Sequence, residues 1–254
     1  MKRKIRISAR TIENIEFKKV TRGKIESFVM NFLMNFGLAL EVLRLVQVNT
    51  EKSEYVQMAL SQHVVTLISL CETLFRDIFV CILENQKDYK DMIINAYNLE
   101  IKNDINVPTE INDILPEFFN FQNIYDIEKV FKFIIHGDDF YYEIGSLVVP
   151  LYNSKEQKIK NLSLNKSFEN WFQLYDQIIQ ERHKIVHDSN YKTKITASDI
   201  IPYQRLVLFF NQILALWITG KFRLPYIMIK VKESLQIPYI LDLEDFNHDW
   251  EIVD

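Results

Sequence analysis

The residues best suited to chemistry form the segment Arg182-His183-Lys184-Ile185-Val186-His187-Asp188. It places an arginine among apolar residues, two histidines four positions apart, and a polar turn directly after them. Arginine binds a phosphate dianion with a fork of N–H donors, and imidazole exchanges protons near neutral pH. The segment therefore predicts phosphate chemistry at neutral pH that needs no metal ion.

A predicted helix from about Ser167 to Val186 or His187 carries this segment. At about 100° per residue, Arg182 points into the middle of the apolar face of that helix. An unpaired buried charge is costly, so the guanidinium needs a carboxylate, a phosphate or a water-filled cleft. One interpretation is structural and pairs Arg182 with Glu72, which lies in an earlier buried helix. The other leaves Arg182 free to bind a ligand.

Asp176, Gln180, His183 and His187 form a polar stripe along one edge of the same helix. The simplest interpretation is a solvated polar edge. A second is a metal site of Asp176, His183 and His187, since the spacing of the two histidines suits metal ligands. No Glu lies between the histidines and no Cys is nearby, so we expect neither a metal ion nor another cofactor.

Arg182 and His187 differ by about 140° around an ideal helix, so they do not face one point. Either the last turn of the helix unwinds before Asp188, or two copies of the chain pack through this edge. Metal-free RNA cleavage needs one group that deprotonates the attacking 2′-hydroxyl and another that protonates the leaving oxygen. A symmetric homodimer supplies both, so we favour the second arrangement.

The motif Arg182-(His183-Lys184-Ile185-Val186)-His187 resembles that of the HEPN superfamily, helical domains with an arginine, four to six residues and a histidine near the end of a core helix. An earlier segment, Leu70-Cys71-Glu72-Thr73-Leu74-Phe75-Arg76-Asp77-Ile78-Phe79, looks like the acidic–aliphatic–arginine segment of several bacterial, defence-associated HEPN groups. Glu72 and Arg76 fit a simple i, i+4 ion pair equally well.

The resemblance implies a metal-independent, homodimeric endoribonuclease that acts as a toxin or antiviral defence effector. In that role Arg182 orients the scissile phosphate, His187 transfers protons, and His183 donates to phosphate or serves as a second acid or base. The resemblance implies RNA as substrate and an antitoxin or defence-system protein as a further partner. The supporting residues are Glu72, Arg76 and Asp188. The alternative is a non-catalytic helical module that binds a partner protein or a nucleotide.

Composition and pattern predict one mainly all-α domain over residues 1–254, a HEPN-like helical bundle with short strands near both ends. The core bundle is expected over 24–220, with a basic N-terminal arm over 1–23 and an acidic C-terminal extension over 221–254. Residues 1–24 hold nine Lys or Arg against two Glu. This basic stretch is either a solvated end that attracts the acidic tail or an arm that collects a polyanion.

Two cysteines, Cys71 and Cys81, lie ten residues apart in one predicted helix over Ser53–Asn85, about 15 Å along its axis and beyond disulfide reach. His63, on the apolar side of the same helix, is expected to be a hydrogen-bonded core histidine. Free thiols are typical of a reducing compartment. The basic N-terminus is not followed by the apolar core of a signal peptide. The longest uncharged run, residues 55–71, is too short and too polar for a convincing membrane span. We therefore expect a cytoplasmic protein without membrane contact.

Overall fold

The computed structural model describes residues 3–6, 25–50, 52–102, 111–134, 139–153, 158–232 and 235–246. Helices dominate these residues, which confirms the predicted mainly α-helical class. In chain order the elements are β1 Arg3–Arg6, α1 Ile25–Asn49, α2 Ser53–Asn85, α3 Lys87–Ala96, β2 Leu99–Lys102, α4 Ile111–Ile114, α5 Ile124–Phe131, α6 Phe140–Ser146, β3 Val149–Asn153, β4 Lys158–Leu162, α7 Leu164–Ser167, α8 Trp171–His187, α9 Ala197–Phe222, β5 Met228–Lys232 and β6 Leu235–Pro238.

Four long helices, α1, α2, α8 and α9, build the centre of the fold. Helices α2 and α9 pack against each other, and α1 and α8 each pack against both of them. Both central helices are apolar on most sides, which suits helices that are covered by several neighbours. Phe210 of α9 lies 4.7 Å from Tyr175 of α8 and 5.8 Å from Phe75 of α2 between ring centroids, so the three helices share one core.

Local capping explains where the helix after the candidate site begins and ends. The sequence indicates Ser198 as its N-cap, but Thr196 occupies that position and forms a capping box with Asp199. The helix also continues past Gly220 to Phe222 and closes at Arg223, whose φ is +53°. The backbone N–H of residue 224 donates to the carbonyl of residue 219 over 2.8 Å, the wider hydrogen bond of a Schellman-type end.

The described strands form three pairs rather than the single pair joining the chain ends that the sequence suggests. Strand β1 pairs in parallel with β2, whereas β3 with β4 and β5 with β6 are antiparallel hairpins. Residues 146–164 are therefore not loop-like as predicted. Strand β4 is exposed along most of its length, so it lacks the apolar alternation that marks a strand in sequence. Of the strand or hairpin predicted over residues 4–20, residues 7–20 lie outside the described part of the chain.

The described part of the predicted C-terminal extension packs on the helices. The side-chain amide of Gln212 accepts from the backbone N–H of Leu241 and donates to its carbonyl, each over 2.9 Å. Phe246 then packs against Phe36 of α1, with ring centroids 5.5 Å apart. Residues 247–254 lie outside the described residues.

Among the described helices, α1 alone has the length and apolar composition of a membrane span. The core helices of soluble proteins meet the same criteria. One face of α1 is buried against α2 and α9, where Phe28, Phe32 and Phe36 join the common core.

Candidate functional site

The end of α8 presents an arginine and two histidines on different sides of one helix. Arg182 is half-buried, and its Nε is fully buried with no hydrogen-bond partner among the residues that the structure describes. His183 and His187 are exposed, with ring centroids 4.4 Å apart and ring planes inclined by 45°. The two imidazoles therefore form a tilted, solvent-facing pair on one edge of the helix, whereas the guanidinium of Arg182 enters the protein on another.

The last turn of α8 stays helical, so the unwinding considered above is wrong. Helix α8 runs through His187, and the backbone N–H of Asp188 donates to the carbonyl of Lys184 over 3.0 Å. Asp188 is the first residue with extended backbone angles. Arg182 and His187 thus remain about 140° apart around the helix. One copy of the chain does not aim both side chains at one phosphate.

Glu72 does not pair with Arg182. The structural interpretation of Arg182, which named Glu72 as its partner, is therefore wrong about that partner. One carboxylate oxygen of Glu72 accepts from Arg76 over 3.1 Å, and the other accepts from Gln122. Within the described ranges, no carboxylate forms an ion pair with Arg182. The Nε of Arg182 also lacks an acceptor there.

The neighbours of Glu72 show why it lies away from the histidines. The preceding residue of α2, Cys71, hydrogen-bonds Tyr175 of α8. Tyr175 precedes Arg182 by seven residues, or about 10 Å along the helix axis. Arg76 lies a further turn away and also contacts Glu117, with 3.8 Å between Nη1 and a carboxylate oxygen. The structure therefore brings Glu72 and Arg76 together in a network that holds residues 115–122 against α2, and does not bring them to Arg182 and His187.

The proposed supporting residue Asp188 shapes the turn after α8. Its carboxylate accepts from the backbone N–H of Asn190 over 2.9 Å, and its carbonyl accepts from the backbone N–H of Tyr191 over 3.0 Å. Such a turn is the usual local hydrogen bonding of aspartate. Asp188 thereby fixes the direction in which the chain leaves His187.

Sequence reasoning missed the residue that holds this turn in place, Glu181. Its carboxylate accepts from the Tyr191 hydroxyl over 2.7 and 2.8 Å and from the Thr193 hydroxyl. Because the Tyr191 hydroxyl donates to this carboxylate, the pKa of Tyr191 is raised to about 12. The side-chain amide of Gln57 on α2 donates to the carbonyls of Thr193 and Ile195 over 2.9 and 3.0 Å. Two helices therefore fix the segment that follows His187.

Positive charge accumulates at this end of α8. Lys184 lies in the last turn, where the partial negative charge of the helix end favours cations. Lys192 and Lys194 are exposed in the segment that follows. The carboxylates of Glu181, Asp188 and Asp199 lie beside the same segment and offset part of this charge. The charge pattern suits a phosphodiester backbone.

The metal site considered for Asp176, His183 and His187 is not supported by the geometry. Asp176 lies seven residues before His183 on a continuous helix, about 10 Å away along its axis. No group of three His, Cys, Asp or Glu side chains in the described ranges is placed to hold a metal ion.

No family model, curated protein or solved structure matches this chain.

Proposed function

We propose that the chain is a metal-independent endoribonuclease of the HEPN type, which cleaves RNA at a site shared by two copies. The observation that carries the proposal is the end of α8, which carries both the exposed imidazoles of His183 and His187 and the guanidinium of Arg182, for which the described residues offer no carboxylate. A half-buried guanidinium of this kind is suited to a phosphate, which offers two oxygens to its planar fork of donors.

The intact last turn of α8 supports a site built from two copies. Since Arg182 and His187 of one copy point about 140° apart, a second α8 must complete the group around the phosphate. The hollow beside this end of the helix, about 380 Å³ and lined by Glu181, Tyr191 and Tyr203, lies on a different side of α8 from the histidines. A two-fold axis that sets the Arg182 side of one α8 against the histidine edge of the other builds two equivalent clefts, each with an arginine from one copy and histidines from its partner.

The chemistry follows from these groups. One His187 takes the proton of the 2′-hydroxyl as its oxygen attacks the adjacent phosphorus. The bond to the 5′-oxygen breaks, and the neighbouring imidazole of His183 gives that oxygen a proton. Arg182 stabilises the additional negative charge on the phosphorus oxygens in the transition state. The products carry a 2′,3′-cyclic phosphate and a 5′-hydroxyl.

As a toxin or antiviral effector, such an enzyme acts on RNA in the cytoplasm and is restrained by an antitoxin or a defence-system partner.

The second candidate, a non-catalytic module that binds a partner protein or nucleotide, is favoured by one other observation. Helix α1 exposes a long apolar face, as Met34, Leu38 and Val42 are each more than 60% exposed.

The test is cleavage of total RNA by the purified chain in the presence of excess chelator, with His187→Ala as the variant. We expect the variant to fold normally and to lose at least about a hundredfold in rate, the usual contribution of an acid–base group. Gln180→Ala is the matched control, because Gln180 is exposed on the same edge of α8 about two turns earlier. Cleavage by His187→Ala at the parental rate would reject the enzyme and leave the binding module.

A further inference from the structure

The outer face of α1 carries an uninterrupted apolar ridge. Six side chains that are between 39% and 74% exposed follow one another along it: Met30, Met34, Leu38, Val42, Leu45 and Val48. Eighteen positions separate the first from the last, which is five turns at 3.6 residues per turn. The ridge therefore runs parallel to the helix axis for about 27 Å.

A groove accompanies the ridge on each side. The groove between α1 and α2 has a volume of about 980 Å³, and Tyr55 and Met58 of α2 are exposed along its far wall. The groove between α1 and α9 holds about 970 Å³ and has the exposed Ile201 on its far wall. A surface with both a ridge and adjoining grooves is complementary to itself, because a copy rotated by 180° can seat its ridge in the groove of the first.

The charges of α1 permit two copies to meet here. The whole chain carries a net charge of −4, so a contact between two copies is disfavoured wherever acidic surfaces meet. The ridge itself has no ionisable side chain. The charges of α1 are Glu26, Glu41 and Arg44, and the last two form an ion pair of 2.8 Å with each other. A two-fold contact along the ridge therefore brings no unpaired like charges together at its centre.

Composition and area also match a contact between proteins. Three of the six methionines, Met30, Met34 and Met58, are exposed on this face, and methionine is enriched in protein interfaces where charged residues are depleted. Helix α1 has no Lys or Trp, which surface-bound membrane helices place beside their apolar face. The exposed apolar side chains of α1 and α2 offer on the order of 800 Å² per copy, the share of one partner in an interface of standard size.

We propose that a second copy of this chain binds to the α1 ridge, antiparallel to it, about a two-fold axis near Leu38. This contact goes beyond the proposed ribonuclease function and does not depend on it. Helices α1 and α8 pack on different sides of the α2–α9 pair, so the contact is separate from any contact between the histidine edges.

The test uses charges placed at the proposed axis. In a two-fold contact, residue 38 of one copy lies next to residue 38 of the other. Leu38→Lys and Leu38→Glu each bring two like charges together and should weaken the contact roughly a hundredfold. The side chain is 62% exposed, so both variants should fold as the parent does. Tyr142→Lys is the matched control, because Tyr142 is 68% exposed on α6, away from the ridge.

Sedimentation equilibrium measures the outcome against the chain mass of 30.3 kDa. The parental protein and Tyr142→Lys should have the same mass, at least twice that of one chain, and each Leu38 variant should have half of it. An equimolar mixture of Leu38→Lys and Leu38→Glu should recover the parental mass, because opposite charges then meet at the axis. A parental protein of single-chain mass, Leu38 variants of parental mass, or a mixture that stays dissociated would each overturn the proposal.

Discussion

His63 should make the stability of the fold sensitive to acid, because it joins three helices as a neutral side chain. It is 4% exposed on α2, and its Nε2 lies 2.9 Å from the side-chain nitrogen of Gln204 on α9. An amide nitrogen only donates, so Nε2 accepts and the other ring nitrogen carries the hydrogen. That nitrogen forms a hydrogen bond with the backbone of Ala39 on α1. Both ring nitrogens are thus engaged without a positive charge.

The magnitude follows from the pKa of this ring. Burial lowers the pKa of His63 from 6.5 to about 4, since the protonated ring is poorly solvated in the core. Between these values the unfolded chain binds a proton that the folded chain does not, so the free energy of unfolding decreases as the pH falls. At about 1.4 kcal/mol per unit, His63 removes about 2 kcal/mol of stability by pH 5 and about 3 kcal/mol below pH 4.

Urea unfolding of the parent and of His63→Gln, each at pH 7.5 and pH 5.0, isolates this contribution. Glutamine retains hydrogen-bonding groups but does not titrate. The carboxylates titrate in both proteins, so their contribution cancels in the comparison. The parent should lose about 2 kcal/mol more than the variant between the two pH values. Equal losses in both proteins would refute the assignment of His63 as a neutral core histidine.

Two further predictions concern the residues around α8. Glu181→Gln should return the pKa of Tyr191 from about 12 toward its ordinary value of 10, because the hydroxyl no longer donates to a carboxylate. An NMR titration of labelled tyrosines measures this pKa, and Tyr191→Phe assigns the signal. Arg76→Ala should lower the free energy of unfolding by about 2 kcal/mol, because it leaves the carboxylates of Glu72 and Glu117 without their shared cation. An unchanged urea midpoint would show that this cluster contributes nothing to the fold.

The helices of the centre were predictable because their signals are local. The predicted bounds of α2, Ser53–Asn85, are those observed, and α8 ends at His187 as the polar turn after it indicates. Apolar periodicity and helix-stop residues act within a few positions of one another. The same reasoning placed His63 correctly as a hydrogen-bonded core residue and kept Cys71 and Cys81 as free thiols.

Contacts between distant parts of the sequence were not predictable in the same way. The prediction that Glu72 pairs with Arg182 was wrong because the axial offset of two packed helices leaves no trace in the periodicity of either. Gln57 holds the segment after α8 from 136 positions away, and no local pattern indicates such a partner. The hairpin of β3 and β4 was missed for a related reason, since its exposed strand has no buried face.

The orientation of Arg182 toward the interior and of the two histidines toward solvent was predictable from helical geometry alone. The apolar ridge of α1 is not predictable from the periodicity of that helix, because periodicity identifies the buried positions and not which outer positions stay uncovered. Helix α1 has apolar residues on its outer face as well, and only the packing of α2 and α9 shows which of them stay uncovered.

The central claim, that one cleft contains an arginine and a histidine from different copies, is tested most directly by mixing two inactive variants. Arg182→Ala and His187→Ala should each fail to cleave RNA alone. In a mixed dimer one of the two clefts keeps both Arg182, from the His187→Ala copy, and His187, from the Arg182→Ala copy, so an equimolar mixture should regain a measurable fraction of the parental rate. A mixture as inactive as either variant, at concentrations where mixed dimers form, would contradict a site shared between two copies.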